Sequence, residues 1–112
     1  MTKAYNKFYI NGKWIQPTDR DTLDVVNPAT EEAFATISLG TANDVHAAAL
    51  AARAAFPAWS ESTVEERLTV INKIVAGMKA RADELAMAIS NEMGAPMSLA
   101  KTAQLGAGMG HF

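Results

Sequence analysis

The side chains that could do chemistry in this 112-residue chain are few and far apart. No cysteine is present, so these residues hold no disulfide, no zinc-thiolate site and no cysteine nucleophile. His46 and His111 lie far apart, outside the H-x-x-x-H and H-E-x-x-H patterns of metal sites. The adjacent glutamates at 31–32 and 65–66 point in different directions on a strand or helix, so neither pair converges as acid and base. Side-chain types and spacing therefore predict no catalytic constellation.

A glycine-rich segment at 106–111 is the most tempting motif for binding a cofactor. It is not a dinucleotide fingerprint, because G-x-G-x-x-G starting at Gly106 would need glycine where His111 stands. The segment also follows no predicted strand, which a phosphate-binding turn requires. Close helix contact or a fraying helix end is the simpler interpretation of these glycines.

Charge and hydropathy argue against a nucleic-acid-binding, secreted or membrane-spanning protein. Ten Lys and Arg residues against twelve Asp and Glu give a net charge of −2, which argues against an electrostatic nucleic-acid binder. The first fifteen residues lack the apolar core of a secretory signal, and no apolar run is long enough to cross a membrane. We therefore expect a soluble, cytoplasmic protein.

Residues 5–40 have the pattern of strands. Asn11-Gly12, between Phe8–Ile10 and Lys13–Ile15, predicts a two-residue type I′ hairpin that sets Tyr9 opposite Trp14. A second pair of strands is predicted at 23–26 and 33–38, on either side of an Asn-Pro turn. So little sheet is not expected to be stable alone.

From Thr41 onward the apolar period is helical. Thr41 with Asp44 predicts a helix start, and Pro57 predicts its end. Ser62 or Thr63 can cap the next helix, whose predicted buried stripe is Leu68, Ile71, Val75 and Met78. After an uncertain break at 77–82, a third helix with Leu85, Ile89 and Met93 inward is expected to stop at the Gly-Ala-Pro of 94–96. A last helix is expected from Ser98.

Five stretches together are more specific than any one alone. They are Phe8–Trp14, Val26–Thr30, Ala51–Trp59, Glu66-Arg67 and Glu92–Pro96. In order and spacing they resemble the start of an NAD(P)-dependent aldehyde dehydrogenase, from Lys7 to the end of the chain. One departure is the Gly-Ala-Pro at 94–96, where that family commonly has Gly-Lys-Pro.

The resemblance implies an α/β parent enzyme whose first part is this chain, two β-hairpins followed by three to four α-helices. It implies residues 1–40 as the hairpins and 41–112 as the helical part of an incomplete cofactor-binding domain. In the family a cysteine attacks the aldehyde, hydride passes to NAD or NADP, and a glutamate activates the water that hydrolyses the thioester. Those positions come later in the family's order, so the resemblance places no catalytic or cofactor-binding residue here. We expect the 112 residues alone to be inactive and to need no cofactor.

The resemblance also implies two secondary features. Many family members bind a monovalent cation, for which the matching groups are the Val25 carbonyl and the Glu92 carboxylate, both hard oxygen ligands. A solvated Glu92 in the last turn of a helix is the competing interpretation. The final helix resembles one that lines the family's substrate tunnel, with Ala103 and Ala107 facing it. The partners implied are a small aldehyde and further copies of the enzyme, with neither nucleic acid nor membrane.

Two other hypotheses remain open on the sequence. One is a free-standing helical interaction module that offers its alanine-rich helices to a partner, without catalysis. The other is a small structural protein whose hairpin edge adds to another chain's sheet. A reading frame that continues into a glycine-rich βα unit and a cysteine nucleophile would favour the enzyme over both.

Overall fold

The computed structural model describes residues 3–112, and the strands lie in its first third. Their bounds are β1 Lys3–Tyr5, β2 Phe8–Ile10, β3 Lys13–Ile15, β4 Thr22–Asn27 and β5 Glu32–Ser38. The chain divides into two compact units. The first unit comprises Met1–Val26 and Ala33–Ser62, and the second comprises Asn27–Glu32 and Thr63–Phe112.

The predicted hairpin is confirmed as β2 and β3. Asn11 and Gly12 have φ of 52° and 73°, the left-handed values that a type I′ turn requires at both central positions. The antiparallel register sets Tyr9 opposite Trp14, with ring centroids 5.2 Å apart. This aromatic pair stabilises the register from the exposed face of the hairpin.

The second predicted pair of strands is also confirmed, within the bounds of β4 and β5. These strands are neighbours in a three-stranded sheet of order β1-β5-β4. The sequence did not predict β1, which pairs parallel with β5 so that Ala4 lies opposite Thr36. Ala35, on β5, is almost fully buried.

Helix α1, Ala42–Ser60, completes the first unit and begins where predicted. Thr41 and Asp44 form a reciprocal capping box, which satisfies main-chain donors that the first turn leaves free. The prediction that Pro57 ends the helix is wrong, because the helix continues to Ser60 with Pro57 inside it. Pro57 lies in the last turn, so the carbonyl it leaves without a helical donor is that of Arg53, an exposed residue one turn earlier.

The second unit contains α2, Val64–Ala80, and α3, Ala82–Met93. Of the two possible caps for α2, the structure selects Thr63, which forms a capping box with Glu66. The predicted break is confirmed at Arg81, which separates the two helices. Helix α3 stops at Gly94, whose left-handed φ of 69° is favourable for glycine.

The terminal helix starts one residue before the predicted Ser98 and changes its winding along its length. It comprises α4, Met97–Leu99, a π-helical segment, Ala100–Gln104, and α5, Leu105–Gly110. The π-helical segment contacts α3. Such wide turns are rare and occur often at functional sites.

Buried residues are small and scarce in the part of the chain that the structure describes. They are Ala35, Ala86, Ala95, Ala100 and Leu105. The predicted buried stripe of α2 is only half-buried at Ile71, Val75 and Met78, and Leu68 is exposed. Met93 of α3, predicted inward, is 66% exposed. The helices therefore have the apolar faces that the sequence predicts, but other described residues cover those faces only in part.

Candidate functional site

The two residues proposed for a cation lie in different units. Val25 is half-buried on β4 of the first unit, and Glu92 is exposed in the last turn of α3 in the second. Among residues 3–112, no three His, Cys, Asp or Glu side chains cluster as a metal site would require. The cation site therefore stays a prediction. A cation held there would need main-chain carbonyls and further oxygen ligands besides the Glu92 carboxylate.

Glu92 lies on the wall of a groove of about 300 Å³ within the second unit. The groove lies between α2, α3 and the terminal helix, and its lining is mainly apolar. Its lining residues are Met78, Leu85, Ala88, Ile89, Glu92, Met93, Gln104, Leu105 and Gly108. This groove brings the Glu92 carboxylate and the Gln104 amide together beside apolar carbons.

Gln104 is the second polar group of this groove, and sequence reasoning missed it. It ends the π-helical segment, and its Oε1 is buried without a hydrogen-bond partner among the described residues. A buried amide oxygen without a donor is costly. The sequence could not predict this buried amide, because the residue types in Lys101–Gln104 do not distinguish a π turn from an α turn.

A second pocket, of about 430 Å³, lies in the first unit between the N-terminal strands. Tyr5, Trp14 and Gln16 line it, together with Ala4, Asn6 and Lys7. Asn6 Oδ1 is buried there without a donor, while Gln16 Nε2 donates to the Asn6 carbonyl at 3.5 Å. The ionisable side chains of this lining are the Tyr5 phenol and the Lys7 amine.

In the first unit, a helix cap and an ion pair meet at Asp44. The Thr41 main-chain N–H and hydroxyl each donate to Asp44 Oδ2 at 2.8 Å, and Arg20 Nη2 donates to Oδ1 at 3.2 Å. These donors hold the pKa of Asp44 below its ordinary value of 3.8, with the main-chain bond from Thr41 contributing most. A carboxylate so stabilised as an anion is a structural anchor and a poor general acid.

The remaining candidates for chemistry are separated from one another. His46 is exposed on α1, and His111 Nδ1 donates to the Ala107 carbonyl at 2.6 Å. Glu66 accepts from the Thr63 N–H at 2.7 Å, which places it in a helix cap. Among the glycines at 106, 108 and 110, Gly108 alone has a neighbouring side chain, that of Met78, within 4 Å of where a Cβ would stand.

Ala103 and Ala107, predicted to face a substrate tunnel, are exposed on the terminal helix and do not line the groove. Their role stays a prediction. In the part of the chain that the structure describes, no helix has the length and apolar character needed to cross a bilayer.

Comparison with known proteins gives a consistent result. The model of the aldehyde dehydrogenase family matches residues 14–112. A 3-succinoylsemialdehyde-pyridine dehydrogenase from a Pseudomonas species is 43% identical over 111 residues, which are 98% of this chain and 23% of that protein. This chain therefore spans about a quarter of the length of the curated relatives it matches.

Solved structures agree with the sequence comparison. An aldehyde dehydrogenase from Bartonella henselae superposes with a TM-score of 0.94 and 42% identity, covering 98% of this chain and 23% of that one. A mutant aldehyde dehydrogenase C from Pseudomonas syringae, in complex with NAD+ and octanal, gives a TM-score of 0.91 and 46% identity. The match covers 95% of this chain and 22% of that one. These matches support the enzyme interpretation and not a free-standing interaction module.

Proposed function

This chain belongs to the aldehyde dehydrogenase family, and we propose that it is the N-terminal segment of an enzyme that oxidises an aldehyde to a carboxylic acid with NAD or NADP. The observation that carries the proposal is the family match over residues 14–112, joined to 43% identity with a relative about four times as long. The complex of a similar structure with NAD+ and octanal supports both the nicotinamide cofactor and an aldehyde substrate.

In this proposal the reacting groups lie in polypeptide beyond these 112 residues. The chain has no cysteine to form the thiohemiacetal, and its glycine-rich segment is part of a helix. The nicotinamide, when bound, accepts the hydride. In this proposal the chain contributes structure and no reacting group. Its elements β1–β5 and α1–α5 are the first elements of the cofactor-binding domain.

We propose the same division as the sequence predicts, with strands over residues 1–40 and helices over 41–112 inside one incomplete domain. The capped starts of α1 and α2 and the left-handed stop of α3 support it, because they fix where each helix begins or ends. The 112 residues alone are expected to be inactive. The whole enzyme is expected to be a cytoplasmic homo-oligomer that binds neither nucleic acid nor membrane.

A monovalent cation site involving the Val25 carbonyl and the Glu92 carboxylate is proposed for the whole enzyme. Carbonyl and carboxylate oxygens are the hard ligands that such a cation prefers, and Glu92 is exposed enough to take part. Soaking crystals of the enzyme with a heavy monovalent cation tests the site. Anomalous density beside Glu92, lost in Glu92→Gln, is expected, and density confined to other positions would overturn the assignment.

Two observations test the proposed function itself. The reading frame that encodes this chain should continue into a glycine-bearing βα unit and a cysteine nucleophile. The encoded protein should convert an aldehyde into the corresponding acid, identified by mass spectrometry, while reducing one nicotinamide per acid formed. A frame without a later cysteine, or a product other than the acid, would contradict the proposal.

A further inference from the structure

The Asn11-Gly12 turn at the tip of the β2–β3 hairpin has chemistry that the proposed function does not use. We propose that Asn11 is a site of spontaneous deamidation, a covalent modification that converts its side-chain amide to a carboxylate. Asn11 and Gly12 are both exposed. Among residues 3–112 the Asn11 amide has no hydrogen-bond partner, so nothing in the described structure restrains it.

The reaction needs no reagent other than water and hydroxide. The Gly12 main-chain nitrogen gives up its proton and attacks Asn11 Cγ, so that a C–N bond forms while the bond from Cγ to Nδ2 breaks. Ammonia leaves, and a five-membered succinimide ring remains. Water then adds to one of the two ring carbonyls, leaving either an aspartate or an isoaspartate at position 11, with no oxidation or reduction.

The local structure favours this attack. Gly12 has no Cβ to hinder its nitrogen, and no described residue other than its two chain neighbours lies within 4 Å of the place where a Cβ would stand. The turn must distort before the nitrogen reaches Cγ, and the hairpin gives little resistance. Its strands have three residues each, so few inter-strand hydrogen bonds oppose the distortion, and β2 also contacts α1.

The other five asparagines are internal controls. Asn27 precedes Pro28, whose nitrogen has no proton to lose, and its side chain accepts from the Ala29 N–H at 2.9 Å. Asn43, Asn72 and Asn91 lie inside helices, where the following main-chain nitrogen is held in place. Asn6 has its Oδ1 buried and is followed by a lysine with a full side chain.

The two products should affect the hairpin differently. Asp-Gly also suits a type I′ turn, so the aspartate form keeps the register and adds a negative charge beside Lys13. The isoaspartate form inserts an extra methylene into the backbone of a two-residue turn. It should separate Tyr9 from Trp14, whose rings are now 5.2 Å apart.

The test is incubation of the purified protein of the complete reading frame at mildly alkaline pH, followed by peptide mapping of the six asparagines within residues 1–112. A synthetic peptide of residues 8–15 gives the rate without the folded context. Asn11 is expected to convert severalfold faster than any other asparagine, faster as pH rises, and within a fewfold of the peptide. An intact Asn11 after the peptide has fully converted, or faster loss at another asparagine, would overturn the proposal.

Asn11→Asp is the matched control, because it has the new charge on an unaltered backbone. Tryptophan emission of this variant should stay close to that of the parent, while aged protein enriched in isoaspartate should differ from both. Equal spectra for the isoaspartate form and Asn11→Asp would contradict the predicted loss of register. These outcomes do not depend on the enzymatic proposal, since they require no activity.

Discussion

At the scale of single residues, Asp44 connects the start of α1 to the segment before β4. Its carboxylate accepts from the residue that caps α1 and from Arg20, which precedes β4 and also donates to the Thr18 carbonyl at 3.1 Å. Each of these bonds favours the charged carboxylate, which is why its pKa lies below the ordinary value. Asp44 therefore links the stability of the fold to pH.

Because the pKa of Asp44 is lower in the folded chain, its contribution to stability is complete above 3.8 and disappears as pH falls through the folded value. Asp44→Asn should therefore lower the free energy of unfolding near neutral pH and flatten its fall in acid. Urea unfolding over a pH series measures both effects. Asp24→Asn is the control, since Asp24 makes no ion pair within residues 3–112. Identical pH profiles for the two variants would contradict the linkage.

Replacing Gly94 by a residue with a Cβ should lower the stability of the fold. The φ of Gly94 is 69°, and a Cβ added there would lie 2.9 Å from Pro28 Cγ within the second unit. Gly94→Ala should cost about 1–2 kcal/mol for the left-handed backbone, with a further steric cost. Adding Pro28→Ala should recover the steric part alone, as a double-mutant cycle would show. A Gly94→Ala chain as stable as the parent would contradict this account.

At the scale of elements, the helix starts are local and were therefore predictable. The Thr63–Glu66 box is closed by two bonds, from the Thr63 N–H to Glu66 Oε2 at 2.7 Å and from the Glu66 N–H to the Thr63 hydroxyl at 3.2 Å. The sequence left Ser62 as an alternative cap, but the Ser62 hydroxyl donates to the Trp59 carbonyl at 2.6 Å at the end of α1. The Ser62 hydroxyl thus bonds at the end of α1, and the Thr63 hydroxyl caps the start of the next helix in the chain, α2.

Thr63→Ala should destabilise the fold by about 1 kcal/mol, because the first turn of α2 loses its side-chain acceptor. Thr69→Ala is the matched control within the same helix. The Thr69 hydroxyl donates to the Glu65 carbonyl, a bond that an α-helix does not need. Its loss should change stability by less than about 0.5 kcal/mol. Chemical denaturation measures the free energy of unfolding of both variants. An equal loss in the two would contradict the stabilising role of the Thr63 cap.

What the sequence could not predict depends on distant or packed residues. The pairing of β1 with β5 joins segments about thirty positions apart, and three residues have too little pattern to predict it. The π-helical segment, and with it the buried Gln104, depends on how the terminal helix fits α3. The cation ligands Val25 and Glu92 rest on family resemblance, because neither residue type has a spacing that predicts metal binding.

At the scale of the whole molecule, apolar surface remains uncovered. Large side chains such as Trp14, Phe56, Leu68 and Met93 are about half exposed or more. The described residues that are fully buried are mostly alanines, which contribute little apolar area each. A family segment about a quarter as long as its relatives would leave surfaces of this kind for the remainder to cover.

The isolated 112-residue chain should therefore be marginally stable or self-associating. Sedimentation velocity and thermal unfolding over a concentration series are the measurements. We expect association that grows with concentration, or a broad transition at low temperature. A monomer that melts cooperatively near or above about 60 °C would contradict this expectation.

We propose that this chain is part of an aldehyde-oxidising enzyme whose nucleophile lies elsewhere in the polypeptide. The most direct measurement is nicotinamide reduction by the protein of the complete reading frame, with NAD and NADP each tested against a panel of aldehydes. We expect reduction with at least one aldehyde, and none by residues 1–112 alone. Failure with every aldehyde and both cofactors, or activity of the 112 residues alone, would contradict it.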